Sequence, residues 1–393
     1  MPGPLSGIRV VELSAMISAP MATGILADQG ADVIKIESPG AGDRLRLTGF
    51  GVGGLPALFA NINRGKRSLV LDLRDSRGLA LLLRLVERAD VFVQNYRPGV
   101  MQRMGLGEPV LRARRPELVY VSISGFGETG PYAQRRVIDS AMQAISGFAA
   151  SQAEPGSDRP RLIQNTVCDK ATAWIAAQAI SAALFARERG AGGQHLRLNM
   201  LDASVAFLWP DAMQGHSYYL EGEEEPPKRS GYLDLLRCAD GWLAISAITQ
   251  VEFEAVCRGF DREDLLADPK LANVDGRARH MAYLIEQLQS MVAGRSRKQL
   301  VEILDRADVC YGMANSLDSL ADDPQLRANG TLVELEHPVR RSRTPRPPAR
   351  FAATPAELRG GAPLLGQHAD EILAELGLGS GEIAELRAGG VLG

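Results

Sequence analysis

The run Ile8-Arg-Val-Val-Glu-Leu13, a helical stretch from Met21 to Gln29 and then Asp32-Val-Ile-Lys-Ile36 have the spacing of a strand, a crossover helix and a second strand. Working outward, Ser68-Leu-Val-Leu-Asp72, Val91-Phe-Val93 and Leu118-Val-Tyr-Val-Ser-Ile123 supply further short apolar strands. From Ser76 to Arg88 the positions Leu79, Leu82, Leu83 and Val86 recur at helical spacing. An alanine-rich run from Lys170 to Arg189 reads as a long helix, Gln194 to Asn199 as one more strand and Leu201 to Trp209 as a helix. Short apolar strands alternating with helices imply an α/β domain whose mostly parallel sheet is covered on both faces.

Composition changes at Glu221-Gly-Glu-Glu-Glu-Pro-Pro-Lys-Arg229, which reads as a linker. A large α/β part over 1–220 therefore precedes it, and a second, small domain starts at 221. The small domain is expected to hold the strand Gly241 to Ile245 and helices near Glu252 to Arg258, Ala282 to Val292 and Arg297 to Ala307. Pro338 to Arg350 is too rich in proline for regular structure and is expected to cross a surface in extended form.

With 393 residues and 45% hydrophobic content the chain can bury a large core, and a net charge of −3 gives no general attraction to nucleic acid or to an anionic membrane. No signal-peptide pattern and no long uncharged apolar span are found, so a cytoplasmic protein acting on small molecules is expected. Four scattered cysteines without CxxC and five histidines without paired spacing argue for reduced thiols and no metal.

Gly49-Phe-Gly-Val-Gly-Gly54 and Gly125-Phe-Gly-Glu-Thr-Gly130 both match the dinucleotide pattern G-x-G-x-x-G. Neither joins the first strand to a helix whose N-terminus could meet a pyrophosphate, so no nicotinamide or flavin is expected. No G-x-S-x-G elbow is present, and Cys168 reads as a packed core thiol. Asp169 ends Ile163-Gln-Asn-Thr-Val-Cys-Asp, just before the alanine-rich helix. There a carboxylate is either an N-cap or an ionised nucleophile, since the helix start favours its negative charge.

An ordered set of loop motifs settles which chemistry to expect. Gly3-Pro-Leu-Ser-Gly-Ile-Arg-Val-Val-Glu-Leu13, Leu26-Ala-Asp-Gln-Gly-Ala-Asp-Val-Ile-Lys-Ile-Glu37 with Pro39, Gly40, Gly42 and Asp43, and Asn63-Arg-Gly-Lys-Arg-Ser-Leu-Val-Leu-Asp-Leu73 open it. Ala89-Asp-Val-Phe-Val-Gln-Asn-Tyr-Arg-Pro-Gly-Val100, Ser124-Gly-Phe-Gly-Glu-Thr-Gly-Pro-Tyr132, Asp240-Gly-Trp242 and Leu365-Gly-Gln-His-Ala-Asp-Glu371 continue it. The chain resembles the family III CoA-transferases, a group related to the 2-methylacyl-CoA racemases, over almost its whole length.

The resemblance implies a Rossmann-like large domain made from 1–220 and completed by an extended connection and C-terminal segment over 331–393, a small α+β domain over 221–330 between them, and an interlocked homodimer whose CoA pocket is closed partly by the partner chain. It implies acyl-CoA and a carboxylic acid as substrates, with a short dicarboxylic acid among the candidates, and Asp169 as the nucleophile. Asp139 falls at an acidic active-site position, although its ordinary reading is a helix-start aspartate. The CoA-binding positions implied are Ala15, Met16, Ser18 and Ala19 after the first strand, Leu71 and Leu73, then Asn95, Tyr96, Arg97 and Val100, with Arg103 and Arg136 facing the phosphates.

The sequence also departs from the family pattern. Ile17 stands where some transferases carry glutamine, Ser38 replaces a frequent arginine, and Arg229-Ser-Gly-Tyr232 is all that precedes Arg237 where a glycine-rich lid would lie. A racemase needs two proton carriers, and the position of its histidine is Ile138 while that of a supporting glutamate is Thr249. The transferase is therefore expected over a 2-methylacyl-CoA racemase. A non-catalytic CoA-binding dimer is the reading from a different class.

Overall fold

The computed structural model describes residues 3–153, 157, 159–219 and 234–393. The linker read at 221–229 and the sequence Arg229 to Tyr232 lie outside these residues. Contacts divide the chain into two compact units, 1–210 with 328–393, and 211–327.

In the first unit the opening pattern folds as β1 (Arg9–Leu13), α1 (Ser18–Asp28) and β2 (Asp32–Glu37). There follow β3 (Arg67–Val70), α2 (Ser76–Val86), β4 (Val91–Gln94), β5 (Val119–Ser124), α3 (Asp139–Ser146), α4 (Val167–Ala186) and β6 (His195–Asn199). The six strands pair in parallel in the order β3-β2-β1-β4-β5-β6. The order reverses between β1 and β4, and the loops leaving those strands border the crevice where open α/β sheets bind ligands.

Alternation along each strand builds two cores. Val11, Leu13, Ile34, Ile36, Phe92 and Tyr120 pack with α2 and the C-terminal helices on one face. Val10, Val33, Val91, Val93, Val119 and Val121 pack with α1 and α4 on the other. On α2 the buried residues are Gly78, Leu81, Leu82, Leu85 and Val86, with Leu79 and Leu83 half-buried against the same core, so the apolar face is wider than the spacing of Leu79, Leu82, Leu83 and Val86 indicates. Gly78 turns inward because an added Cβ would stand 2.2 Å from the Asp72 carbonyl oxygen.

Charge is buried inside this apolar frame. Glu12 and Lys35 are partners in the β1–β2 register and both are wholly buried. Lys35 Nζ lies 2.7 Å from Glu12 Oε1, 3.0 Å from the Ser14 carbonyl and 2.9 Å from Asp43 Oδ2. Lys66 Nζ donates to Glu12 Oε2 at 2.8 Å, to the Pro20 carbonyl at 2.6 Å and to Asn63 Oδ1 at 2.8 Å. Burial alone would raise Glu12, yet the two ammonium groups hold it far below the usual carboxylate range. Burial pulls Lys66 down to about 8.

In the second unit the strands Leu236–Cys238, Gly241–Ile245 and Tyr311–Met313 form an antiparallel sheet. Helices Gln250–Gly259, Met281–Val292 and Arg297–Arg306 share its core through Phe253, Leu284, Leu288 and Leu300. The proline-containing segment is more regular than its composition suggests: Ser342–Pro345 pairs antiparallel with Leu332–Leu335. Proline is tolerated at the end of such a two-stranded ribbon, and Pro345 holds the last position. Among the described residues no helix is long and apolar enough to cross a membrane.

Replacing Lys35 by Met leaves Glu12 and Asp43 with excess buried charge, and urea unfolding should show a loss of about 3–5 kcal/mol. Arg74→Ala, which breaks only the exposed pair with Asp72, should leave the unfolding midpoint unchanged.

Candidate active site

The loop leaving β1 is held from two sides. The Ala15 N–H donates to Asn95 Oδ1 at 3.1 Å, and Asn95 Nδ2 donates to the Ala15 carbonyl at 2.7 Å, so the loops after β1 and β4 are tied across the crevice. Met16 has φ +71°, a left-handed conformation uncommon outside glycine. Asp43 stabilises it by accepting the Met16 N–H at 3.1 Å on Oδ1, the same oxygen that receives the Leu45 N–H at 3.0 Å. The other oxygen of Asp43 pairs with Lys35, so the buried charges and the loop share one carboxylate. Ser18 then starts α1 and is buried.

Asp169 stands on the third residue of α4, with Thr166 at the N-cap. It is not itself the cap, as its place before the alanine-rich run had suggested. Thr166 has φ −78° and ψ 65°, the values of an inverse γ-turn, so the helix begins three residues earlier than the alanine pattern. The Asp169 N–H, one of the unpaired amides of the first turn, donates to Asp139 Oδ2 at 2.9 Å. Asp139 is therefore more than a helix-start residue of α3: its carboxylate serves the start of α4 instead.

Burial and the nearby Asp139 charge push Asp169 up to about 7, against donation from the Ser18 hydroxyl and N–H. Its carboxylate is thus not held firmly ionised, although the helix start favours the anion. Cys168 is buried and its thiol is raised by burial, in keeping with a packed core residue.

Direct contacts thus join Ala15 to Asn95, Met16 to Asp43, and Asp169 to both Asp139 and Ser18. The Tyr96 N–H donates to Gln94 Oε1 at 2.8 Å, and Gly99 with φ +85° turns the chain into the short helix Val100–Arg103. Arg97, Arg103 and Arg136 are exposed and have no ion-pair partner among the described residues. Arg135 stacks over Tyr132 at 3.9 Å. Ala19 and Leu71 sit in the hydrophobic cores and Leu73 packs against one of them, with Leu71 bridged to Leu392. Ile138 is 66% exposed and precedes α3 without capping it. In the second unit, Thr249 caps its helix in a reciprocal pair with Glu252.

Sequence reasoning missed two residues here. Asp43 was quoted only as part of a motif, and Gln143, which contacts Asp139, was not singled out. The spacing of Asp139 and Gln143, four residues apart on one helix, was the available signal. An apolar cavity of about 650 Å³ borders the same turn of α4, lined by Ile17, Met21, Ile25, Trp174 and Phe351 and reaching Thr166 and Lys170.

Comparison with known proteins finds relatives over nearly the whole chain. The sequence model described as CoA-transferase family III matches residues 5–369. The chain is 34% identical over 391 residues to the succinate–glutarate CoA-transferase of Agrobacterium fabrum, covering 95% of this chain and 96% of that one. It is 32% identical over 402 residues to human succinyl-CoA:glutarate CoA-transferase, covering 99% and 90%. The crystal structure of a CAIB/BAIF family protein from Brucella suis superposes with a TM-score of 0.83 at 32% identity, over 96% of this chain and all of that one. The protein belongs to the family III CoA-transferases.

Proposed function

We propose that the protein moves CoA from an acyl-CoA donor to a short dicarboxylic acid, with Asp169 as the nucleophile. The observation that carries this reading is the contact between Asp139 and the Asp169 N–H at the start of α4, with Ser18 opposite. The carboxylate is presented at a helix start, at the crevice end of the sheet. The named activities of the Agrobacterium and human relatives support succinate and glutarate as the acid class.

In the proposed reaction Asp169 attacks the thioester carbonyl, the C–S bond breaks and CoA leaves as thiolate, forming an acyl-aspartyl anhydride. The thiolate attacks the aspartyl carbonyl and expels the donor acid, leaving aspartyl-CoA. The acceptor carboxylate attacks that thioester, forming a second anhydride and releasing the thiolate. Attack of the thiolate on the acceptor carbonyl yields the new acyl-CoA and restores Asp169. Anhydride and thioester lie close in energy, so no ATP is consumed. No proton is gained or lost, which distinguishes this chemistry from racemisation. Ile138 offers no proton carrier for the latter, and Thr249 is occupied as a helix cap.

CoA would lie along the loops after β1 and β4, its phosphates met by Arg103, Arg136 and Arg97, whose guanidinium groups are free to form forked contacts with phosphate. A self-associated assembly fits the outer face of α4, which leaves Trp174 47% and Phe185 66% exposed. An interlocked dimer would cover that face and close the pocket.

Assay of succinyl-CoA against a panel of acids tests the function. Transfer should favour four- and five-carbon dicarboxylates, and formation of no acyl-CoA from any acid would refute it. Asp169→Ala should lower kcat on the order of 1,000-fold or more.

Because only the carboxylate attacks, kcat/KM should rise with pH through about 7 and then level. The folded-state value exceeds that of a free aspartate, 3.8, so folded protein binds the extra proton and loses stability as pH rises between the two. Asp169→Asn should therefore melt above wild type, with the gap in Tm wider at about pH 8 than at about pH 5.

A further inference from the structure

Gln143 lies one turn beyond Asp139 on α3 and is 2% exposed. Every part of its amide is engaged. Oε1 accepts the Ile163 N–H at 2.9 Å, while Nε2 lies 2.6 Å from Asp139 Oδ1, 3.2 Å from the Ile163 carbonyl and 3.0 Å from the Asn165 carbonyl. One donor on one side and three acceptors on the other fix the orientation of the amide, since the flipped group would set oxygen against oxygen.

Two consequences follow. Asp139 accepts an N–H on each oxygen, from Gln143 and from Asp169, so both ends of the carboxylate are fixed in direction. The stretch Ile163 to Asn165, which feeds directly into the first turn of α4, is clipped to α3 by the same side chain.

We propose that Gln143 is a positioning residue of the transferase site: it holds the Asp139 carboxylate aimed at the Asp169 N–H, and it locks the segment that presents Asp169. The proposal rests on the reading of Asp169 as nucleophile. Groups facing Asp169 are Asp139 from α3, Ser18 from α1, and on its own helix Cys168 and Lys170. Lys170 is tied to Asn165 Oδ1 at 2.6 Å, and the Cys168 thiol is raised by burial, so Asp139 is the anion that opposes ionisation of Asp169. Disturbing Gln143 thus reaches Asp169 through Asp139 as well as through the backbone.

Gln143→Met keeps the length of the side chain and removes the amide. Its kcat should fall on the order of 10- to 100-fold, the scale of small misplacements in a catalytic site, while KM for acyl-CoA changes by less than about twofold. The acid limb of its pH profile should move to lower pH, because the Asp139 charge is no longer fixed. In an Asp139→Asn background the same change should move the limb no further. Gln143→Glu donates to Asp139 only when protonated, so it should acquire an alkaline limb that wild type lacks.

A Gln143→Met enzyme with wild-type kcat and pH profile would overturn the proposal, as would a limb shift of equal size with and without Asp139. If the Met variant does not fold, as judged by circular dichroism, absence of the alkaline limb in Gln143→Glu overturns it instead. Asp169→Ala separates the two readings. Full transfer by that variant removes the nucleophile itself, whereas loss of transfer together with wild-type behaviour of both Gln143 variants removes only the role of Gln143.

Discussion

Two carboxylates and two ammonium groups balance one another inside the opening βαβ unit, and the geometry of the site depends on that balance. An ammonium left unpaired in the core costs several kcal/mol, so Lys35, wedged beside Glu12, needs a second anion. Asp43 supplies it from the loop after β2. With one oxygen committed to Lys35, the other is fixed in place to receive the Met16 N–H. Met16 can then hold a left-handed backbone, the chain turns sharply into α1, and Ser18 arrives opposite Asp169. The surroundings of Asp169 are in this sense set by charges buried in the core.

The alternation of short apolar strands and helices made the α/β class legible, because strand and helix periods differ and each is local. The reversal of strand order between β1 and β4 was not legible, since no local pattern states which strands become neighbours. The inward face of α2 is wider than the spacing of Leu79, Leu82, Leu83 and Val86 indicated, for a specific reason. Leu81-Leu82-Leu83 is a continuous apolar run with no phase of its own, and Gly78, with no side chain to weigh, marks the side where backbones meet. Pro345 discouraged a strand that a two-stranded ribbon accommodates.

The candidate site was legible to a different depth. Asp169 stood out by its place at a helix start, and Ser18 and Asn95 were reached through the resemblance; in the fold Ser18 meets Asp169, while Asn95 ties the loop at Ala15. That Asp169 falls inside the first turn of α4 depends on the γ-turn at Thr166, which the residues before it do not announce. Lys35 and Glu12 stood in plain view as charges within buried strands, but only the β1–β2 register makes them a pair. Gln143 was hidden because glutamine on a helix is ordinarily a surface residue, and its partners at 163 and 165 are distant in sequence.

Opposed influences meet at Asp169: a helix start and Ser18 favour the anion, while burial and Asp139 disfavour it. A carboxylate poised near neutral pH is ionised enough to attack and less strongly solvated than a free acid, which suits the proposed nucleophile, since that group must also leave. The most direct measurement is mass spectrometry of the protein incubated with acyl-CoA and quenched with hydroxylamine. Conversion of Asp169 to its hydroxamate is the result expected of an acylated or CoA-bearing aspartate. Transfer that proceeds with Asp169 unmodified, or modification of another carboxylate in its place, would contradict the account.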